Sequence, residues 1–341
     1  MGDSLRRGPA GVWVAVWLAG IVVASTAFRA WLGSRMPAPF IFTDELQFQE
    51  NARSLAAGDW LLVRGEAFGI ASVLYPLLIA PAYALFDSLP DAYAAARTVN
   101  AVVMSLAAVP AYFLSRRVLP AGLSLFAAVL AVALPSLAYT GTLMTENAFY
   151  PAFLLVAWAL VRVLERPSVL GQALLLGACG IAVLARVQGL ALVLAALTAP
   201  LLLRLVARRP LRPFAPLYLV AAGGGVLVLA AQLVRGASLP SLFGAYEVVG
   251  EGGYDGAEVL RFLFWHVAEL DLYVGVFPLA ALIVLVARLR ALEPTLALDV
   301  DRVVAVHHNL RDGVVVQEPL DRPVSEDVVP DLGDQARALA G

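Results

Sequence analysis

Residues 70–86 read IASVLYPLLIAPAYALF, and the way this apolar run meets the membrane decides the topology of the chain. The run is short for a membrane span and contains Pro76 and Pro81. If the run crosses, Arg116 and Arg117 lie on the outer face of the membrane, and every later basic cluster moves to the opposite face from the one that it otherwise occupies. If it lies in the interface or re-enters, the basic clusters face the cytoplasm, as membrane proteins favour. We therefore predict that it does not cross.

The composition of the chain is that of a membrane protein. Hydrophobic residues make up 61% of 341 positions and charged residues 15%, whereas a soluble domain is nearer one half and one quarter. The net charge of −2 argues against a nucleic-acid partner. All 24 basic residues are arginine, a bias typical of a GC-rich bacterial genome.

Several apolar runs are long enough to cross roughly 30 Å of hydrocarbon. They predict an all-α fold: a polytopic membrane helical bundle of about eight spans, with juxtamembrane helices on its outer face. We expect a transmembrane domain at 1–290, a polar, acidic, weakly structured tail at 291–341, and both termini in the cytoplasm, in a plasma (inner) membrane. The predicted spans are 12–32, 93–115, 121–140, 147–164, 168–185, 187–206, 214–234 and 268–287.

On this topology, acidic residues concentrate on the outer side, where they contribute little to orientation and so need another cause. The two long polar connections, 33–92 and 235–267, also lie outside, while the inner loops are short. The sequence therefore predicts a functional site on the outer face.

The first outer segment, PFIFTDELQFQENARSLAAGDW at 39–60, carries the adjacent pair Asp44 and Glu45. One interpretation is a surface helix over 44–57 with Thr43 as its N-cap, carboxylates in its first turn and Gly58 as its stop. The other is catalytic, because partial desolvation at the hydrocarbon edge would make a carboxylate a better base. Both interpretations stay open from the residues alone.

Further charges are predicted at the outer ends of spans. Glu146 begins the span 147–164, Arg97 starts another span, and Arg186 lies in VLARVQGLALVLAAL between two spans. An arginine at such depth is costly unless paired, so each is either a functional residue or a snorkelling or ion-paired structural one. Acids and arginines together at a lipid edge suit a substrate that carries a phosphate on a lipid tail.

One histidine is a weaker candidate. His266 lies in a polar stretch beside Trp265, and it is either a proton carrier, a metal ligand or an ordinary interfacial histidine. His307 and His308 have no partners at ligand spacing, so no metal site is assigned, although a divalent metal stays open as a cofactor.

The motifs TDE at 43–45, AAARTVNAVVMSLAAVPAYFLSRRVL, LMTENAFYPAFLL and LARVQGLALVL resemble the GT-C membrane glycosyltransferases, which include protein O-mannosyltransferases and aminoarabinose transferases. The resemblance implies an inverting transfer of sugar from a polyprenyl-phosphate donor to a hydroxyl on a lipid, glycan or protein of the cell envelope. It makes Asp44 the catalytic base and Glu45 its support. Glu146 would hold sugar or acceptor hydroxyls, and Arg186 and Arg97 would hold the leaving phosphate. Independently of the resemblance, His266 is predicted as a further substrate contact.

GT-C enzymes usually continue through more spans than the eight predicted here. A noncatalytic or truncated relative is therefore one alternative. A transporter or flippase of lipid-linked sugars is another, but it predicts an internal repeat and charges at mid-bilayer, and the sequence shows neither.

Overall fold

The computed structural model describes residues 9–36, 43–67, 72–133, 137–238 and 255–273. These residues confirm the predicted all-α class. The helices are α1 (Pro9–Ser34), α2 (Thr43–Ala57), α3 (Leu74–Leu85), α4 (Leu89–Ser105), α5 (Ala108–Ser115), α6 (Ala121–Ala133), α7 (Leu137–Thr140), α8 (Glu146–Glu165), α9 (Val169–Ala185), α10 (Leu190–Ala207), α11 (Ala215–Arg235) and α12 (Gly256–Tyr273).

Three short elements accompany the helices. Two 3₁₀ turns, Val187–Gly189 and Arg212–Phe214, lead into α10 and α11. A small antiparallel hairpin of β1 (Leu62–Val63) and β2 (Glu66–Ala67) follows α2. The sequence did not predict this hairpin, because strands of two residues are too short to show an alternating pattern.

Within the described residues, five helices are long and apolar enough to cross a membrane: Gly11–Ser34, Leu89–Ser115, Glu146–Glu165, Val187–Ala207 and Arg212–Arg235. Three apolar helices are shorter, and they are α3, α6 and α9. The chain is therefore a helical membrane protein, while the count of eight spans stays a prediction. Most of the predicted span 268–287 and the whole of the predicted tail 291–341 lie outside the described residues.

The apolar run at 70–86 forms α3, a helix of 12 residues that contains Pro81 and packs against α2 and α4. At 1.5 Å per residue it is about 18 Å long, well short of the hydrocarbon thickness. Its length agrees with the prediction that the run does not cross. That prediction is not thereby confirmed, because α6 has only 13 residues and was predicted to cross.

The helix predicted at 44–57 forms as α2 and ends where Gly58 was expected to stop it. Gly58 has a φ of +90°, which a residue with a side chain rarely adopts. Its N–H donates to the Leu55 carbonyl at 3.1 Å, and the Asp59 N–H donates to the Ser54 carbonyl at 3.0 Å. These two bonds are a Schellman ending, so the stop signal in the sequence was interpreted correctly.

Among the residues that the structure describes, three apolar clusters hold the bundle together. The first joins α2, α3 and α4 to the start of α8 and the end of α9. The second joins α8 to α9, α10 and α11, and the third joins α1 to α5 and α6. The first cluster defines what we call the site end of the bundle, with buried members Phe48, Ala52, Tyr75, Ile79, Ala80, Ala82, Tyr93, Ala96, Leu143, Ala148 and Ala185.

The chain divides into two compact units, Met1–Asp255 and Gly256–Gly341. The helices α1 to α11 belong to the first unit. Of the second unit, α12 is described, and its side chains from Gly256 to Glu269 are mostly exposed.

The end of α9 makes a close backbone contact that depends on glycine. After α9 the chain turns back through Val187–Gly189, and Gly189 is buried against the backbone of Ala182. A Cβ at Gly189 would lie 2.6 Å from the carbonyl carbon and oxygen of Ala182. Because backbone atoms cannot rotate away, the turn that carries Arg186 requires a residue without a side chain here.

We expect Gly189→Ala to destabilise the bundle by about 1–3 kcal/mol, because the new methyl group overpacks a rigid contact. Thermal unfolding in detergent measures this, followed by a thiol-reactive dye that labels the buried Cys179 when the protein opens. Gly180→Ala, in the preceding helix α9, is the control, since a Cβ there meets nothing within 4 Å. An unfolding temperature for Gly189→Ala equal to that of this control would contradict the packing argument.

Candidate active site

The two adjacent carboxylates of α2 point in different directions. Asp44 is exposed, whereas Glu45 is buried at 2% exposure. Successive residues of a helix are about 100° apart, so only one of the pair can face the bundle. The desolvation that we expected for Asp44 is therefore found at its neighbour Glu45.

Glu45 joins α2 to α4 and to the loop before α8. Its Oε1 accepts a hydrogen bond from the Tyr93 hydroxyl at 2.6 Å and another from the Leu143 N–H at 2.9 Å. Both partners are buried, so removing the carboxylate would leave the Leu143 N–H without an acceptor and the Tyr93 hydroxyl with only the Gly141 carbonyl at 3.5 Å. The other oxygen, Oε2, is buried without a hydrogen-bond partner among the residues that the structure describes.

The Tyr83 hydroxyl of α3 interacts electrostatically with the Glu45 carboxylate. Burial first, and then the negative charge of Glu45, raise the pKa of the Tyr83 hydroxyl. This hydroxyl, like Glu45 Oε2, is buried and has no hydrogen-bond partner in the described part of the chain. The site end thus contains polar atoms whose bonding capacity the described protein groups leave unused.

Arg97 is held by two contacts near Glu45. Its Nη1 donates to the carbonyl of Gly33 at 2.8 Å, and its guanidinium lies 4.9 Å from the centre of the Tyr93 ring. Gly33 is in the last turn of α1, where unsatisfied carbonyls attract a cation. Arg97 therefore caps α1, and it reaches Glu45 only through Tyr93.

Glu146 and Arg186 form an ion pair between the start of α8 and the residue after α9. The Arg186 Nε also donates to Gln188 Oε1 at 3.0 Å, and the Thr145 hydroxyl donates to the second oxygen of Glu146 at 3.4 Å. The side chains of Arg186 and Glu146 are 30% and 19% exposed. The pair is thus rigidly held and remains open to a ligand.

The two groups of charges are neighbours through one loop and one apolar cluster. Leu143, which binds Glu45, is three positions before Glu146. Leu143, Ala148 and Ala185 belong to the same cluster as Phe48 and Tyr93. The structure therefore gathers five predicted site residues at the site end, as an exposed Asp44, a buried Glu45 linked to Arg97, and the Glu146–Arg186 pair.

His266 belongs to the second unit, so its predicted part in the site is untested. Its ring is exposed, and its Nδ1 donates to the Phe262 carbonyl at 2.7 Å within α12. Among the described residues, no group of three or more His, Cys, Asp or Glu side chains could hold a metal ion.

Two residues of this region were not predicted as site residues. Tyr93 carries the link between Glu45 and Arg97, and Arg29 of α1 is only 1% exposed. The Arg29 guanidinium donates to Ser25 Oγ, to the Thr140 hydroxyl and to the Val132 carbonyl. The signal for Arg29 was present, because an arginine inside an apolar span needs partners. Tyrosines are common near the ends of membrane spans, so the sequence contained no comparable signal for Tyr93.

Comparison with known proteins identifies the family of the central segment. Residues 71–234 match the family described as dolichyl-phosphate-mannose-protein mannosyltransferase. This match includes Arg97, Glu146 and Arg186, while Asp44 and Glu45 precede it. No curated protein and no solved structure gave a significant match to the chain. Over residues 71–234 the chain is therefore similar to the dolichyl-phosphate-mannose-protein mannosyltransferase family, which is part of the GT-C superfamily of membrane glycosyltransferases.

Proposed function

We propose that this membrane glycosyltransferase moves a sugar from a polyprenyl-phosphate donor to a hydroxyl acceptor, with inversion at the anomeric carbon. The observation that carries the proposal is the Glu146–Arg186 pair, partly exposed and fixed beside the loop that binds Glu45. In support, the Arg186 guanidinium, a group that suits phosphate, is paired with the Glu146 carboxylate within the segment that matches a family of lipid-phosphate-sugar transferases.

Each side chain has a separate part in the reaction. Asp44, the exposed carboxylate, takes the proton of the acceptor hydroxyl. The acceptor oxygen then forms a bond to the anomeric carbon as the bond from that carbon to the phosphate oxygen breaks. The polyprenyl phosphate leaves with the bonding electron pair, and Arg186 stabilises its negative charge.

Glu45 and Arg97 act through position in this proposal. Glu45 fixes α2 against the loop, and so fixes its neighbour Asp44 relative to Glu146. Arg97 fixes the end of α1 beside α4 and adds positive charge near the leaving phosphate. Glu146 can accept hydrogen bonds from donor or acceptor hydroxyls while it orients Arg186.

The proposed setting is the outer face of a bacterial plasma membrane, with both termini in the cytoplasm. The arginine distribution of the sequence supports this orientation. Attachment of labelling reagents to single cysteines at the exposed position 44 and the partly exposed position 117 would test it, since only position 44 should react from outside.

We expect Asp44→Asn to lower sugar transfer by roughly 10²–10⁴-fold, because an amide cannot take the acceptor proton. The assay is transfer of radiolabelled sugar from polyprenyl-phosphate donors in membranes that contain equal amounts of protein. Asp59→Asn is the control, since Asp59 is also an exposed carboxylate beside α2. Unchanged transfer with Asp44→Asn would remove this residue from the role of base.

We expect Arg186→Gln to lower transfer roughly 10- to 100-fold, because a charge-assisted hydrogen bond to the phosphate contributes about 1.5–3 kcal/mol. Arg186→Lys should keep part of the activity, since it retains the charge and loses the forked geometry. The control is Arg117→Gln, which breaks a similar ion pair with Glu165 at the other end of α8. Equal losses in Arg186→Gln and Arg117→Gln would point to a structural role for both arginines.

A further inference from the structure

The loop between α7 and α8, residues 141–145, is held by buried side chains from three helices of the bundle. The carbonyl of Thr142 accepts hydrogen bonds from Asn100 Nδ2 at 2.9 Å and from Asn147 Nδ2 at 3.1 Å. The next peptide N–H, of Leu143, donates to Glu45. Successive backbone groups of one loop are thus bound by side chains of α4, α8 and α2.

Asn100 is itself oriented by a tyrosine of α3. The Tyr75 hydroxyl donates to Asn100 Oδ1 at 3.0 Å, and this bond leaves the Nδ2 group facing Thr142. Tyr75 and Asn100 are each 1% exposed. Because the amide has no solvent to turn towards, its orientation is fixed by these two bonds.

Asn147 closes the loop from the other side. Its Nδ2 lies within hydrogen-bond distance of three carbonyls, those of Tyr139, Thr142 and Met144, at 2.9–3.1 Å. The residue is fully buried, and it directly follows Glu146 in α8. The side chain that gathers the loop is therefore covalently next to the carboxylate of the exposed ion pair.

We propose that Asn100 and Asn147, with Tyr75 behind them, form a clamp that sets the distance from Asp44 to Glu146 during sugar transfer. The proposal rests on the proposed function, and it makes the three residues positioning residues. Glu45 ties α2 to the peptide next to the clamped carbonyl, so any shift of the loop moves Glu146 relative to Asp44. Arg186 follows α9, outside the clamped loop.

This arrangement predicts a specific kinetic pattern. A loosened clamp moves Glu146 but leaves Arg186 at the end of α9 and bonded to Gln188, so the KM for the donor should change less than kcat. The acceptor hydroxyl and the sugar are then misaligned, and kcat should fall roughly tenfold or more, since displacements near 1 Å have such effects. A residue that merely supports the fold would instead lower the amount of active protein.

The test compares Asn100→Ala with Gln172→Ala in the full chain. Gln172 is also a buried amide that binds backbone, with Nε2 on the Pro213 carbonyl and Oε1 on the Leu217 N–H, away from the site end. We expect similar losses of thermal stability and a lowered kcat only in Asn100→Ala. Equal kcat for the two variants, per folded protein, overturns the proposal.

Tyr75→Phe is the milder variant, in case Asn100→Ala does not fold. It removes only the hydroxyl that orients Asn100, and Tyr218→Phe is its control because the Tyr218 hydroxyl donates to Leu197 elsewhere in the bundle. A kcat that falls in Tyr75→Phe and stays constant in Tyr218→Phe supports the clamp. A kcat that stays constant in Tyr75→Phe and falls in Tyr218→Phe overturns it.

A measurement without catalysis separates this inference from the proposed function. Spin labels on cysteines at positions 46 and 139, both exposed, report the distance between α2 and α7 in a Cys179→Ala background. We expect Asn100→Ala to shift or broaden the distance distribution, and Gln172→Ala to leave it unchanged. Superimposable distributions overturn the clamp. If the unaltered chain transfers no sugar, the proposed function fails, and the label distances alone decide the clamp.

Discussion

The structure depends on satisfying polar groups that lie inside an apolar bundle. The loop at 141–145 has no helical hydrogen-bond ladder of its own, yet it is buried at the site end. Some of its backbone groups bond to neighbouring backbone, while the Thr142 carbonyl and the Leu143 N–H are bound by the side chains of Asn100, Asn147 and Glu45. Away from water, a backbone N–H or carbonyl without a hydrogen bond destabilises the folded protein. These side chains supply the missing partners. The packing of α2, α4 and α8 around the loop follows from this requirement.

Helices and helix ends were predictable because patterns of neighbouring residues determine them. Apolar runs predicted the five helices that are long enough to cross a membrane, and Gly58 marked the end of α2. The arrangement at the site end was not predictable in the same way. Which of Asp44 and Glu45 faces inward depends on how α2 is rotated, and that rotation is fixed by Leu143, almost a hundred residues later. Asn100 and Asn147 could have been noticed as amides within apolar runs, but not as partners of one carbonyl.

Arginines with similar sequence contexts have different environments in the structure. Arg97 and Arg186 were predicted together as phosphate ligands. Arg97 is bound to the end of α1, whereas Arg186 faces a carboxylate and remains partly open. Arg29 is bound on every side by neutral oxygens, so its charge is balanced within the described residues by carbonyl and hydroxyl dipoles. Burial and available partners, more than position in a span, distinguish a structural arginine from one that can meet a ligand.

The contacts of Arg29 also constrain how the protein is made. Its partners Val132 and Thr140 follow it by 103 and 111 positions in the chain. During synthesis α1 therefore enters the bilayer carrying a cation of which two acceptors, beyond Ser25 in α1 itself, have not yet been translated. Until α6 and α7 arrive, that charge must be sheltered by lipid headgroups, water or the insertion machinery. The buried contacts of Arg29 thus favour a path in which α1 stays beside the translocon until α6 and α7 have been synthesised.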